Sequence, residues 1–336
     1  MNFYLSKYCT HPAYISSAPA TNLFLSVVIP CFNETELINC LQSIFDGEPT
    51  LYPTEILVVI NASQNSSPEI KAQNEISLQN AILWEQSHRK NNLSFQFINL
   101  ELPFKDAGVG LARKIGMDEA VRRFENSKFK NEGVIVCLDA DCTVEKNYLQ
   151  AIEKHFLENL NAVGASIQFA HLYTSLPAKE KIAIVHYELF LRYYVNGLRL
   201  AQHPFAFHTI GSSMAVRNLA YQKQGGMNKR KAAEDFYFLQ KVFVLGNFTE
   251  INSTCVYPSA RISERVPFGT GKAVGDFMEG KEILFYNPVI FLELKFFIET
   301  ILNFAYTHSE KELSDNFHLR FRNLLWTFSF TKKFWK

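Results

Sequence analysis

The run Val134-Ile135-Val136-Cys137-Leu138, followed at once by Asp139-Ala140-Asp141, constrains this chain more than any other stretch. An unbroken run of apolar, mostly β-branched residues fits a strand buried on both faces, as in a parallel sheet. Such sheets gather their ligands at the carboxyl ends of the strands, where both aspartates fall. A loop leaving the strand can turn the two carboxylates toward one site. Hard oxygen ligands of this kind suit a divalent cation, Mg²⁺ or Mn²⁺, carrying a diphosphate. The plainer reading is a turn that happens to contain two aspartates. Aspartate is sparse in this chain, which counts against coincidence.

The sequence around this run alternates strand and helix. Residues 23–30 read as a first buried strand closed by Pro30, and the polar turn 33–36 caps a helix through Leu37, Leu41 and Ile44. Residues 55–60 form a second strand ending in a polar cluster, a helix follows over 68–87, and 93–100 form a third strand. A loop over 101–110 leads to a helix over 111–124 and then to the Val134 strand. Four such alternations argue for an α/β fold, a mostly parallel sheet flanked by helices with right-handed crossovers.

The second half is less regular. It predicts a helix at 148–157, a strand at 162–169 and a long amphipathic helix at 179–200. A short strand or loop at 209–216, a glycine turn at 225–227 and a helix at 234–243 follow. From Phe277 the pattern is aromatic-rich and helical, interrupted at Pro288. Residues 1–22 show no periodicity and read as an extended lead-in. With no repeat and no low-complexity linker, one domain over 23–271 is expected, with extensions at 1–22 and 272–336.

The totals narrow the function. A formal charge of +1 over 336 residues argues against a dedicated nucleic-acid binder, which usually shows a basic excess. Hydrophobic residues make up 47%, enough for a sizeable core. The six cysteines form no Cys-x-x-Cys pair, so a reduced, cytoplasmic setting is the simplest expectation. Neither a secretory leader nor a spanning apolar run is expected from the sequence.

Three motifs in order carry a resemblance. Ser26-Val27-Val28-Ile29-Pro30-Cys31-Phe32-Asn33-Glu34, then Leu138-Asp139-Ala140-Asp141, then Ala232-Ala233-Glu234-Asp235-Phe236 look like the family 2 glycosyltransferases of the GT-A fold. The resemblance covers residues 23–270 and implies a sugar moved from a nucleotide-diphosphate-sugar to a saccharide, lipid-linked or other hydroxyl acceptor. It implies polysaccharide or glycolipid synthesis as the setting. The nucleotide-sugar-binding half would be 23–145 and the acceptor half 146–271. Pro30, Cys31, Asn33 and Glu34 would hold base and ribose, although Asn33 and Glu34 equally suit helix capping. Asp139 would face the ribose and Asp141 the metal, Mg²⁺ or Mn²⁺.

Further segments match more loosely. Lys105 to Lys114 resembles the glycine-containing segment closing over the donor, in which Lys105 and Arg113 or Lys114 reach phosphate. Gly211 and Ser212 match the segment lining the acceptor side. Asp235 is the candidate general base, since inverting transfer needs a carboxylate opposite the leaving diphosphate. Glu234 and Asp235 open a helix, where the positive dipole end favours ionised carboxylates. Lys229-Arg230-Lys231 is either a basic loop over the diphosphate or a solvated run. Arg265 would clamp the diphosphate, with Gly269-Thr270-Gly271 as a flexible lid. The competing reading pairs Arg261 or Arg265 with Glu264 at the surface.

Two departures stand out. Relatives often carry an acidic pair where this chain has Ile60-Asn61, so Asn61 alters which base edge is read. No histidine lies between His208 and His308 to serve as a further metal ligand, and His203 and His208 are candidates for the acceptor side. The tail 317–336 is basic and aromatic with no acidic residue. That composition suits peripheral contact with an anionic membrane, and equally a helix packing on the domain or in a homodimer. A sugar nucleotidyltransferase and a non-catalytic binding or assembly protein of the same fold are the alternatives.

Overall fold

The computed structural model describes residues 2–174, 176–261, 269–281 and 283–307. The chain forms two compact units, Met1–Val185 with Thr209–Lys281, and His186–His208 with Glu282–Lys336.

The first unit opens with α1 (Phe3–Tyr8), β1 (Leu25–Cys31), α2 (Leu37–Phe45), β2 (Thr54–Ser63) and α3 (Pro68–Ser87). It continues through β3 (Leu93–Leu102), α4 (Val109–Phe124), β4 (Val134–Cys137), β5 (Thr143–Val144), α5 (Tyr148–Glu158) and β6 (Gly164–Phe169). Next, α6 (Ala178–Leu200) begins in this unit, and its residues from His186 onward belong to the second. The remaining elements here are β7 (Met214–Arg217), α7 (Asn218–Lys223), α8 (Glu234–Phe243), β8 (Phe248–Tyr257) and α9 (Thr270–Met278).

Among the described residues the sheet has eight strands, in the order β3-β2-β1-β4-β7-β6-β8-β5. β1, β2, β3 and β4 are parallel, whereas β7 runs antiparallel to both β4 and β6. β8 is parallel to β6 and antiparallel to β5. The sheet is therefore mixed and mostly parallel, as the GT-A resemblance implies. β1 is buried along its whole length, with Val27 facing Ile56 in β2 and Val28 facing Cys137 in β4. The chain leaves β1 in one direction for β2 and β3 and returns on its other side as β4. This reversal opens a crevice beyond the carboxyl ends of β1 and β4.

α4 lies tight against that crevice. A Cβ on Gly116 would sit 2.4 Å from Val28 Cγ1, so only glycine lets the helix approach β1 this closely. Arg123 near its C-terminal end forms a buried ion pair with Glu55 of β2.

Several expectations are corrected. Residues 3–8 are helical, not extended: Asn2 Oδ1 accepts from Leu5 N, and Tyr4 is buried. Tyr4 Oη donates to Asp118 Oδ1 at 2.6 Å, beside Tyr221 Oη at 2.7 Å and Lys114 Nζ at 2.9 Å from Oδ2. One short turn gives no readable period; a single aromatic anchor decides it. β8 was missed because Glu250, Asn252 and Ser253 interrupt its apolar pattern, and pairing with β6 supplies what local pattern does not. Gly269 precedes α9, and Thr270 and Gly271 lie in that helix, so these residues start a helix and form no lid. Thr270 Oγ1 lies 3.0 Å from His171 Nε2.

In the second unit, α10 (Pro288–Thr307) begins at Pro288, whose missing N–H costs nothing in a first helical turn. Expected as an interruption, this proline is a start. Phe291 packs onto Gly197, where a Cβ would lie 2.4 Å from its ring, and Tyr193 Oη donates to Tyr286 O at 2.6 Å. Burial, with Arg192 and Arg199 nearby, holds His208 down to about 4, so it is neutral at physiological pH. The tail 317–336 lies outside the described residues.

Candidate active site

The turn after β4 carries both aspartates, but their side chains join different ion pairs. Cys142 N donates to Asp139 O at 3.0 Å and closes the turn, while Leu138 N donates to Val28 O at 3.1 Å and ties it to β1. The Asp139 side chain is 39% exposed and that of Asp141 24%. Each takes a different arginine.

Arg113, on the first turns of α4, is the partner of Asp139. Its residue is 1% exposed, its Nη2 donates to Asp139 Oδ1 at 2.6 Å, and its Nη1 donates to Glu234 Oε1. Burial disfavours the guanidinium charge, but Asp139 and Glu234 outweigh that and hold its pKa above the ordinary value. Gly110 makes the arrangement possible, since a Cβ there would lie 2.1 Å from Arg230 O. Ala233 adopts a left-handed conformation (φ 56°) immediately before α8, a strain of about 1–2 kcal/mol, and it sets where Glu234 and Asp235 begin the helix.

Asp235 lies in the same cluster. Phe236 N donates to Asp235 Oδ1 at 2.7 Å, and a Cβ on Gly211 would stand 3.0 Å from Asp235 Oδ2 and 2.8 Å from Arg113 Nη1. Burial raises the carboxyl pKa of Asp235, and Arg113 partly opposes the rise. Glu234 is raised for the same reason and against the same arginine. Gly211 of the expected acceptor segment therefore meets the candidate base, and Ser212 beside it is buried.

Asp141 belongs to a second cluster. Arg261 Nη1 donates to Glu34 Oε1 at 2.9 Å and Nη2 to Glu34 Oε2, and the same Nη2 reaches Asp141 Oδ2 at 3.2 Å. Glu34 is 2% exposed. Its carbonyl accepts from Ser77 Oγ at 2.6 Å and Gln73 Nε2 at 3.4 Å on α3. Glu34 Oε1 also accepts from Glu36 N at 2.9 Å, so Glu34 braces the start of α2 as well as joining the end of β1 to α3 and Arg261.

A chain of amides holds the rest of this strand end. Asn74 Oδ1 accepts from Asn33 N at 2.8 Å, and Asn74 Nδ2 donates to Asn61 O at 2.8 Å. Asn61 Nδ2 donates to Cys31 O at 2.9 Å, so its donor group faces the neighbouring strand. Asn33 is left-handed (φ 48°), a conformation asparagine tolerates. Pro30 and Cys31 are buried within β1.

Other expected residues lie elsewhere. Lys105 is exposed on the loop before α4. Lys114 points away from the aspartates into its ion pair with Asp118, because on a helix adjacent residues face different directions. In the basic run, the Arg230 guanidinium lies 3.8 Å over Tyr237 and Lys231 Nζ donates to Phe104 O at 3.2 Å. Arg265 lies outside the described residues, and His203 and His208 belong to the second unit.

Sequence reading missed Arg261, Asn74 and Ser77 as contributors. Asn74 and Ser77 are buried polar residues three apart on a helix, a usable signal. Arg261 opens the segment in which Arg265 is expected to act, but its pairing with Glu34, 227 residues away, has no local signal.

Among the described residues no group of three or more His, Cys, Asp or Glu is placed to hold a metal ion. The two carboxylates that would hold such an ion, Asp139 and Asp141, are partly exposed and each is ion-paired with an arginine. Two such oxygen donors would suit a hard cation that keeps water and takes its other ligands from phosphate oxygens.

A family model described as "Glycosyl transferase family 2" matches residues 26–219. No sequence among curated proteins is significantly similar to the chain. Among solved structures, S. aureus TarS 1-349 aligns at 15% identity with a TM-score of 0.48, covering 70% of this chain and 60% of that one. The same protein in complex with UDP-GlcNAc aligns at 14% identity with a TM-score of 0.49, covering 91% and 80%. The chain thus spans less than two thirds of the first of these.

Proposed function

From the premise that the chain belongs to glycosyl transferase family 2, we propose that it moves a sugar from a nucleotide-diphosphate-sugar to a hydroxyl acceptor. The observation that carries this reading is Arg113, which joins the strand-end carboxylate Asp139 to Glu234 and packs beside Asp235. A donor-side carboxylate and a candidate base then share one buried cation. Two subsites linked in this way suit a single displacement, with donor and acceptor on opposite sides of the anomeric carbon.

In this reading the β1 and β2 ends, with Asn33, Glu34 and Asn61, bound the nucleotide. Asp139 and Asp141 would hold a divalent cation, which would neutralise charge on the leaving diphosphate. Asp235 takes the acceptor hydroxyl proton as the oxygen attacks, and the configuration inverts. Its raised pKa favours this role, because a base of higher pKa has a greater driving force for proton transfer. Gly211 leaves room for the acceptor beside Asp235, where any Cβ would crowd the carboxylate.

A cytoplasmic enzyme of polysaccharide or glycolipid synthesis, peripheral at the inner face of a membrane, is the setting proposed. Its support is the basic, aromatic 317–336 sequence and the exposed Val289, Leu292 and Phe296 on α10. No described helix is long and apolar enough to cross a membrane. Flotation with anionic liposomes, with and without residues 317–336, tests it; equal recovery removes the membrane proposal.

The transfer reading is tested with a panel of sugar nucleotides and Mg²⁺ or Mn²⁺, following nucleotide release. Turnover that is lost in Asp235→Asn while donor binding persists supports it. Consumption of nucleoside triphosphate and sugar phosphate in place of sugar nucleotides would overturn it.

A further inference from the structure

Arg261 joins a nearly buried carboxylate, Glu34, to a more exposed one, Asp141, through one guanidinium. The two contacts differ in kind. Glu34, 2% exposed, takes the fork of both terminal nitrogens and is held as well by Glu36 N at 2.9 Å. From Arg261, Asp141 takes one nitrogen, shared with Glu34, at 3.2 Å, and its side chain is 24% exposed. The first contact is an anchor and the second can be exchanged.

We propose that Arg261 is a resting counter-cation at Asp141, which a divalent cation displaces there, and that this cation is taken up together with the diphosphate. This rests on the donor-site reading above and deepens it. A cation arriving alone at Asp141 meets a guanidinium already within ion-pair distance, and like charges oppose it. A cation arriving with a diphosphate brings compensating negative charge. Arg261, whose side chain is 33% exposed, then keeps Glu34 and turns its other edge to phosphate. Cation and nucleotide thereby strengthen each other's binding, and the coupling must be equal in both directions.

The test is Mn²⁺ binding to the full-length protein, followed by the EPR signal of free Mn²⁺, without nucleotide and with UDP, GDP, CDP and TDP in turn. Arg261→Gln is expected to bind Mn²⁺ alone roughly tenfold more tightly than the wild type, with a matching fall in Mn²⁺–nucleotide coupling. Adding Asp141→Ala to that variant is expected to abolish the gain. Arg261→Lys keeps the charge but not the fork, so a smaller tightening is expected, and this variant decides the matter if Arg261→Gln does not fold. Unchanged Mn²⁺ affinity in the folded variants, or a gain that survives Asp141→Ala, overturns the proposal. Failure of the donor reading itself has a different signature: the wild type then binds none of the four nucleotides, with or without Mn²⁺.

Discussion

Arg113 Nη2 stands 2.6 Å from Asp139 Oδ1, and through this contact the loop after β4 and the start of α8 share one buried charge. Asp139 follows Arg113 by 26 positions, whereas Glu234 follows it by 121. Their relative placement depends on the guanidinium.

Arg113→Met should therefore be costly. It leaves Glu234 buried without its counter-charge, and breaking one side of a buried pair costs about 3–5 kcal/mol. The expected result is an unfolding free energy lowered by that amount, seen as a lower urea midpoint with an unchanged slope, together with loss of turnover. A stability within about 1 kcal/mol of wild type would show that the pair is not structural.

Asp235→Asn keeps the shape but removes the base. Turnover should fall by about 10²–10⁴-fold, with nucleotide-sugar affinity changed little, as read by single-turnover and equilibrium binding measurements. Unaltered turnover removes Asp235 from the mechanism.

The pH dependence follows from burial. Asp235 and Glu234 have folded pKa values above their ordinary ones, so the folded state holds their protons longer than the unfolded chain. Their stabilising contribution is fully present below the ordinary carboxylate pKa and is lost as the pH rises through the raised values. Activity runs the opposite way, because the base must be ionised. The acid limb of kcat/KM should lie above the ordinary aspartate pKa of about 3.9 and vanish from the residual activity of Asp235→Asn.

Gly211→Ala tests the close approach. A methyl group would press on Arg113 Nη1 at 2.8 Å and Asp235 Oδ2 at 3.0 Å. An overpacking cost of about 1–3 kcal/mol is expected, with a fall in kcat larger than any change in donor affinity. A wild-type kcat would mean that the carboxylate is not confined there.

Away from the site, Tyr4→Phe removes a hydrogen bond to the buried Asp118 carboxylate, which lies beside Lys114 and Tyr221. A loss of about 1–3 kcal/mol in denaturant stability with unchanged kcat is expected, because the hydroxyl only docks α1 onto α4.

The sequence by itself determined the strands and the places where polar chemistry can emerge. The apolar runs ending at Cys31 and at Leu138 could only be buried strands. Carboxylates immediately after such runs fall at the carboxyl ends of the strands, and Glu234-Asp235 opens a helix. These are local consequences of hydrophobic period and chain direction.

Tertiary structure alone decided which charges meet. Arg113 and Lys114 are neighbours in sequence, yet one reaches Asp139 and the other Asp118, because successive helical residues point about 100° apart. Nothing local sends Arg261 to Glu34 in preference to Glu264, or turns the Asn61 amide toward Cys31 O. Such pairings depend on where packed elements place each side chain. The cost of burying an unpaired charge then selects the partner, and that cost exists only once the core has formed.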